Sequence, residues 1–228
     1  MCSMLALISA CSDSEISPRH NSLLYQPLQI GAQRVYEVVK VKIDLPTNIR
    51  DTSVYLLKET ILHKTADTLG YKLYIAQQDV RYADTLPWQR HQQISYRVHN
   101  RKIVRVEDNV PTTVLQFPES TQRTWNGNEY NKLPTEMFSY ESLFGTFANN
   151  HISVDSVITV LQNKFESLYT FKHKQEQYAY GIGMCSKIDI DIESQPIHGP
   201  IDVSIPIKER ITYGYVHRYT LISYSLPK

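Results

Sequence analysis

The densest group of potential metal ligands in the chain is Lys187-Ile188-Asp189-Ile190-Asp191-Ile192-Glu193, where three carboxylates alternate with isoleucines. Calcium and similar hard cations take several carboxylate oxygens. Residues two apart on a strand, however, lie about 7 Å apart, two rises of ~3.3 Å, too far to share one ion without loop ligands. The spacing instead predicts a solvated strand face opposite a basic neighbour, for which Lys172-His173-Lys174 is the candidate. Gly181-Ile182-Gly183 suggests a phosphate loop, but Ser186 stands where a dinucleotide fingerprint needs its third glycine. The residues that follow alternate as a strand does, so these glycines mark a bulge or a close backbone approach. The eight histidines are scattered, with no H-x-H or H-E-x-x-H arrangement, and no metal or cofactor is expected. No G-x-S-x-G elbow marks a nucleophile, and no catalytic residue is assigned, although a triad assembled in space leaves no sequence trace. Cys185, in the apolar context GIGMCS, reads as a packed small residue. Trp125 and Tyr130 flank Asn126-Gly127 and are the candidate ligand-binding residues. A tryptophan beside an exposed turn can stack on sugar rings or partner side chains, or can fold back to cap the sheet edge.

The N-terminus carries a different chemistry. Met4–Ala10 is a short apolar stretch, and Ile8-Ser9-Ala10-Cys11 resembles a bacterial lipobox, in which cleavage precedes the cysteine and diacylglycerol is joined to its sulfur. Cys11 is therefore the expected lipid attachment site. The polar run SDSEISPRHNS that follows reads as a tether. The expected division is a signal-peptide remnant over 1–10, a lipidated cysteine and tether over 11–22, and one β-rich domain over 23–228. No Lys or Arg precedes the apolar stretch, which suggests a true start upstream of Met1. The competing reading is an ordinary buried first strand.

The elements that must carry these groups are mostly strands. Hydrophobic residues make up 42% and charged residues 21% of the chain, within the globular range. Formal net charge is +1, which gives no electrostatic footprint for nucleic acid. No apolar run approaches the ~18 residues of a membrane-spanning helix. Sixteen tyrosines against eight glycines favour half-buried pleated surfaces, with an aromatic-lined ligand groove as the sharper alternative. In the first strand Val39, Val41, Ile43 and Leu45 share one face and Lys40, Lys42 and Asp44 the other, which predicts a buried apolar side and a wet polar one. Extended segments follow at Ser53–Leu62, Tyr71–Tyr82, Gln93–Val98, Ile103–Val106, Thr112–Phe117, Val154–Leu161, Leu168–Tyr180, Ile182–Ile192 and Ile211–Leu226. His99–Lys102 reads as a hairpin loop and Asn126-Gly127 as a two-residue type I′ turn. Met137, Tyr140, Phe144 and Phe147 fit a helical spacing, and Phe138 with Tyr140 fit a strand, so that window stays undecided. About ten strands and at most one or two short helices predict a mainly all-β fold: a curved antiparallel sheet forming a barrel, half-barrel or sandwich.

Three stretches resemble a family. Tyr25-Gln26-Pro27-Leu28-Gln29-Ile30-Gly31 with Tyr36-Glu37-Val38, Phe117-Pro118 with Trp125-Asn126-Gly127-Asn128-Glu129-Tyr130-Asn131, and Tyr178-Ala179-Tyr180-Gly181-Ile182-Gly183-Met184 are similar to segments of small β-rich lipoproteins of Bacteroidota. Arg34 departs from that pattern, which commonly has an aromatic residue near this point. The resemblance implies a lipid-anchored, β-rich envelope protein with no assigned reaction. The expected function is a non-catalytic lipoprotein of the outer membrane that binds a hydrophobic or glycan ligand or an envelope partner protein. The alternative is a surface or periplasmic hydrolase with a dispersed active site. Asp13 and Glu15, close behind Cys11, resemble the acidic export signals of surface-displayed members, and the membrane face stays open.

Overall fold

The computed structural model describes residues 21–196 and 201–227. The apolar leader, Cys11 and the tether as far as residue 20 lie outside them. Twelve strands follow one another along the chain: β1 (Gln33–Asp44), β2 (Ile49–Ala66), β3 (Lys72–Arg81), β4 (Gln89–His99), β5 (Lys102–Glu107) and β6 (Val110–Gln116) in the first half. The second half holds β7 (Thr124–Asn126), β8 (Met137–Ala148), β9 (Ser153–Glu166), β10 (Thr170–Ala179), β11 (Gly183–Glu193) and β12 (Tyr213–Ser225). The only helical turns among the described residues are short 3-10 turns at Ser22–Tyr25, Leu45–Thr47 and Ile207–Glu209. All strands join one antiparallel sheet in the order β6-β5-β4-β3-β2-β1-β12-β11-β10-β9-β8-β7, a nearly closed barrel. The expected all-β barrel is what forms.

Local chemistry explains the hairpins. Asn100 and Arg101 between β4 and β5, and Asp108 and Asn109 between β5 and β6, all have positive φ. Two such residues in succession make the turn whose twist matches that of the flanking strands. The undecided window is the strand β8. Its alternation is broken by irregular pairing with β9 and by Phe144 at φ 57°, which leaves that ring exposed. The expected Asn126-Gly127 hairpin is not formed, because β7 ends at Asn126 and β8 begins eleven residues beyond it, at Met137. Gly127 is needed for a different reason: a Cβ there would lie 2.4 Å from the Phe138 ring.

The two free edges meet along the Trp125–Asn131 segment. The Thr113 amide donates to the Gly127 carbonyl and the Trp125 indole Nε1 to the Thr113 carbonyl, both at 2.8 Å. Thr113 Oγ1 and Lys102 Nζ both reach Glu129, and Asn131 Nδ2 donates to the Pro111 carbonyl. These bonds satisfy edge groups that would otherwise template pairing with another chain.

The expected orientation of β1 is reversed as far as Val41, whereas Ile43 is buried and Lys42 exposed, as expected. Arg34, Tyr36 and Val38 are buried, and Lys40 lines an interior cavity with Tyr55, His91 and Tyr219 from other strands. Val39 and Val41 lie on the outer side, only half-buried. Exposed Glu37 and Arg218 and the Lys58–Asp79 ion pair share that outer side, a surface suited to water, because charges facing hydrocarbon are costly.

At one end the interior is plugged by residues 22–32. Tyr25 packs edge-on against Tyr180, beside a core that includes Tyr96, Trp125, Phe138, Tyr140 and Ile158. Arg34 anchors the plug, with 0% of its surface exposed. Its Nε donates to the Ile182 carbonyl at 2.6 Å, its Nη2 to the Pro27 carbonyl at 2.7 Å, and its Nη1 meets Glu59 at 3.3 Å. Gly183, at φ +109°, makes room for it, since a Cβ there would sit 2.5 Å from Arg34 Nε. The glycine does mark a close approach.

Arg34→Met should cost about 3–5 kcal/mol in urea unfolding, because Glu59 is left buried without its cation. Arg34→Met with Glu59→Gln should recover part of that loss; a single variant within about 1 kcal/mol of wild type would contradict the assignment. Gly183→Ala should also destabilise, and by less in the Arg34→Met background than alone, because the obstructing guanidinium is gone.

Candidate functional site

Beyond the plugged end the interior turns polar. Glu59 accepts from Tyr96 Oη at 3.0 Å and from Gln78 Nε2 at 3.4 Å. Gln92 Nε2 donates to Gln78 Oε1 and to Glu107. Arg105 stands 3.6 Å from Glu107 and 2.7 Å from Glu176, which also accepts from Tyr178 Oη. Lys187 completes the group at 4.0 Å from both Glu107 and Glu176. Strands β5 and β10 are not neighbours in the sheet, so the Arg105–Glu176 pair spans the barrel interior.

Period-two alternation builds this arrangement. Glu176 faces Lys187, Lys174 faces Asp189, and Lys172 faces Asp191 across the β10–β11 ladder. The expected basic partner strand is therefore the right one, and Lys172 pairs with Asp191 at 2.9 Å. The surface that carries them is the mouth of the barrel. Ile188 and Ile190 take the outer side with Ile192, where Ile207 and Phe171 cover part of them.

Two cavities open at this end and meet at Glu107 and Asp108. One, of about 280 Å³, is bordered by Arg105, Asn128, Glu136, Phe138, Gln162, Lys174, Lys187 and Asp189. The other, of about 290 Å³, is bordered by Lys40, Tyr55, Gln78, His91, Gln92 and Tyr219. Together they form a cup with a floor of paired charges. Binding sites of this kind place a few fixed polar groups in a concavity.

The charges on the floor hold each other's protonation. Burial would raise the Glu176 carboxyl, but Arg105, Lys187 and the Tyr178 hydroxyl outweigh it and bring it down to about 2. Burial pushes the Lys187 ammonium down and the neighbouring Arg105 adds to this, against the pull of Glu107 and Glu176. Glu107 lies below the usual carboxylate range: burial opposes this, and the Lys187 and Arg105 cations prevail. Cys185, buried on β11, is pushed up to about 12 by desolvation, as an inert packed thiol would be.

The residues singled out from sequence lie at the seam. Trp125 is 4% exposed and enclosed by Phe138 and Tyr140, so its ring offers no face to a ligand. It is the alternative of a ring folded back on the sheet that is realised. Tyr130 is 42% exposed, with Lys102 Nζ 5.9 Å from its ring centre, and lies outside both cavities. The residues that line the cup, Arg105, Glu107, Gln162, Lys174 and Lys187 among them, were not proposed for a site. Their one signal was polar residues at every second place of otherwise good strands. Among the described residues no group of three His, Cys, Asp or Glu side chains is placed to hold a metal ion.

No protein-family model matches the chain, and no curated protein matches it. Among solved structures it is similar to the crystal structure of a "putative lipoprotein" from Parabacteroides distasonis ATCC 8503. That similarity has 7% sequence identity and a TM-score of 0.44, and covers 88% of this chain and 98% of the other. At that score the likeness carries no functional argument.

The Glu176 network makes stability depend on acid. A folded value below the ordinary carboxylate value means that its contribution is complete above about pH 5 and is lost as pH falls toward 2. The urea midpoint of wild type should therefore fall more steeply over that window than that of Glu176→Gln. Parallel curves would show that the carboxylate adds nothing.

Proposed function

We propose that this chain is an outer-membrane lipoprotein, joined to the bilayer through Cys11, whose barrel mouth receives a small polar ligand. One observation carries the ligand half of this reading: the two cavities that meet at Glu107 and Asp108 are bordered mainly by charged and amide side chains. Of the ligands expected from sequence, this lining favours a glycan over a hydrophobic molecule. An apolar occupant would strip water from Lys187, Glu107 and Gln162 without replacing its hydrogen bonds, and unpaired buried polar groups are costly. The carboxylates are already engaged, Glu136 by Asn163 and Asp189 by Tyr215, which supports holding a ligand over acid–base turnover. The lipobox-like Ile8–Cys11 and the polar run after it support the anchor. Several acyl chains, at about 0.8 kcal/mol per buried methylene, would hold the protein firmly.

Cells fed a palmitate analogue should label the wild-type protein and leave Cys11→Ala unlabelled; an unlabelled wild type would overturn the anchor. For the ligand, a fluorescent fatty acid should show no saturable binding to the purified chain. Saturable binding blocked by a bulky substitution in the cup, such as Gln162→Trp, would overturn the choice of a polar occupant.

A further inference from the structure

Gln162 is the unusual member of the cup. It is 3% exposed, borders the lobe of about 280 Å³, and its Nε2 has no hydrogen-bond partner among the described residues. A buried donor left unpaired loses the hydrogen bonds it made to water and gains none in return. The backbone is adjusted to put it there: Lys174 pairs with Asn163 and Gln175 with Leu161, so Gln162 is the extra residue of a bulge. Bulges beside sites re-aim side chains in this way.

We infer that this lobe seats a neutral saccharide unit, with Gln162 Nε2 and Lys174 donating to its hydroxyls and Asp189 and Glu136 accepting from them. The inference rests on the polar-receptacle reading above and names its ligand class. Around Gln162, donors and acceptors alternate, because Lys174, Lys187, Glu136 and Asp189 border the same lobe. A carboxylate placed against the Gln162 donor would meet the like charges of Glu136 and Asp189. An ammonium would meet Lys174 and Lys187 and would still leave the amide donor unpaired. A hydroxyl accepts from one side and donates to the other, and so satisfies both.

Charge over the whole cup leads to the same class. The cations of the two lobes are Lys40, Arg105, Lys174 and Lys187, and the carboxylates are Glu107, Asp108, Glu136 and Asp189, four of each. A balanced lining gives no net field to attract an ion of either sign. Leu133, Val110 and Phe138 add apolar wall to the Gln162 lobe, as the C–H faces of a pyranose require. Because the lobes join at Glu107 and Asp108, a second sugar unit can extend toward Tyr55 and Tyr219.

The test is a nitrogen-15 NMR titration of the purified full chain, reading the Gln162 side-chain amide. The probes are an array of neutral disaccharides, including maltose, lactose and chitobiose, with glucuronate, glutamate and putrescine as charged counterparts. At least one neutral disaccharide should shift the Gln162 amide saturably at millimolar concentration. Gln162→Leu, and separately Lys174→Met, should weaken that binding by about tenfold while keeping the wild-type melting temperature within a few degrees. If one variant fails to fold, the other carries the measurement. Saturable shifts with glucuronate, glutamate or putrescine alone would overturn the saccharide while keeping the polar receptacle. A Gln162 amide unmoved by every probe would overturn both.

Discussion

The barrel is organised around a guanidinium with no access to water. Arg34 draws together three parts of the chain that are distant in sequence: the Pro27 carbonyl of the plug, the Glu59 carboxylate of β2, and the Ile182 carbonyl of the β10–β11 turn. Each bond satisfies a group that would otherwise be stranded in an apolar interior, and removing the arginine strands all of them at once. From Glu59 the polar chain continues through Gln78, Gln92 and Glu107 to Arg105, Glu176 and Lys187, without a break from plug to cup. The plugged end of the barrel and its open mouth therefore share one electrostatic system. A fully satisfied network of this kind rigidifies its surroundings, because moving one member unpairs the next.

The rest of the interior divides by what each level requires. Near the plug, aromatic rings fill the space, and tyrosine hydroxyls reach groups such as the Gln116 carbonyl and Glu59. Twelve strands enclose more width than side chains alone fill, and at the mouth the remaining space is lined by charges that stay partly hydrated. The excess of tyrosine is explained by the same gradient. A ring that is apolar along its body and polar at its tip suits the boundary between the two levels.

Ten extended segments were legible from period-two alternation because most of the strands keep regular pairing over long stretches. The fold class followed from them. What alternation cannot supply is the side that faces in. In β1 Val39 and Val41 were assigned to the core and Lys40 to the wet outer face, yet Arg34, Tyr36, Val38 and Lys40 are the residues that point into the barrel. The same inversion hid the site, since Lys187, Asp189 and Asp191 on one strand and Lys172 and Lys174 on the next looked like a solvated outer face. Irregularity defeated the reading elsewhere. Phe144, at positive φ, breaks the β8 pattern into something close to helical spacing, and Gln162 shows its character only through a bulge. Gly127 was taken for a turn residue and Trp125 for a ligand-binding one, because their neighbours Thr113 and Phe138 come from other strands and could not be seen in the local sequence.

The plug has a consequence for how the molecule stands. The described chain enters at Asn21, beside Arg101, Phe117 and Pro118, at the plugged end. The last strand also finishes there, with Ser225 opposite Gln33. Whatever precedes Asn21 thus joins the barrel at its floor, and the cup opens in the opposite direction. Were the chain anchored through Cys11 as proposed, the rim of the cup would face away from the support, and a ligand could come and go without any lifting or turning of the protein.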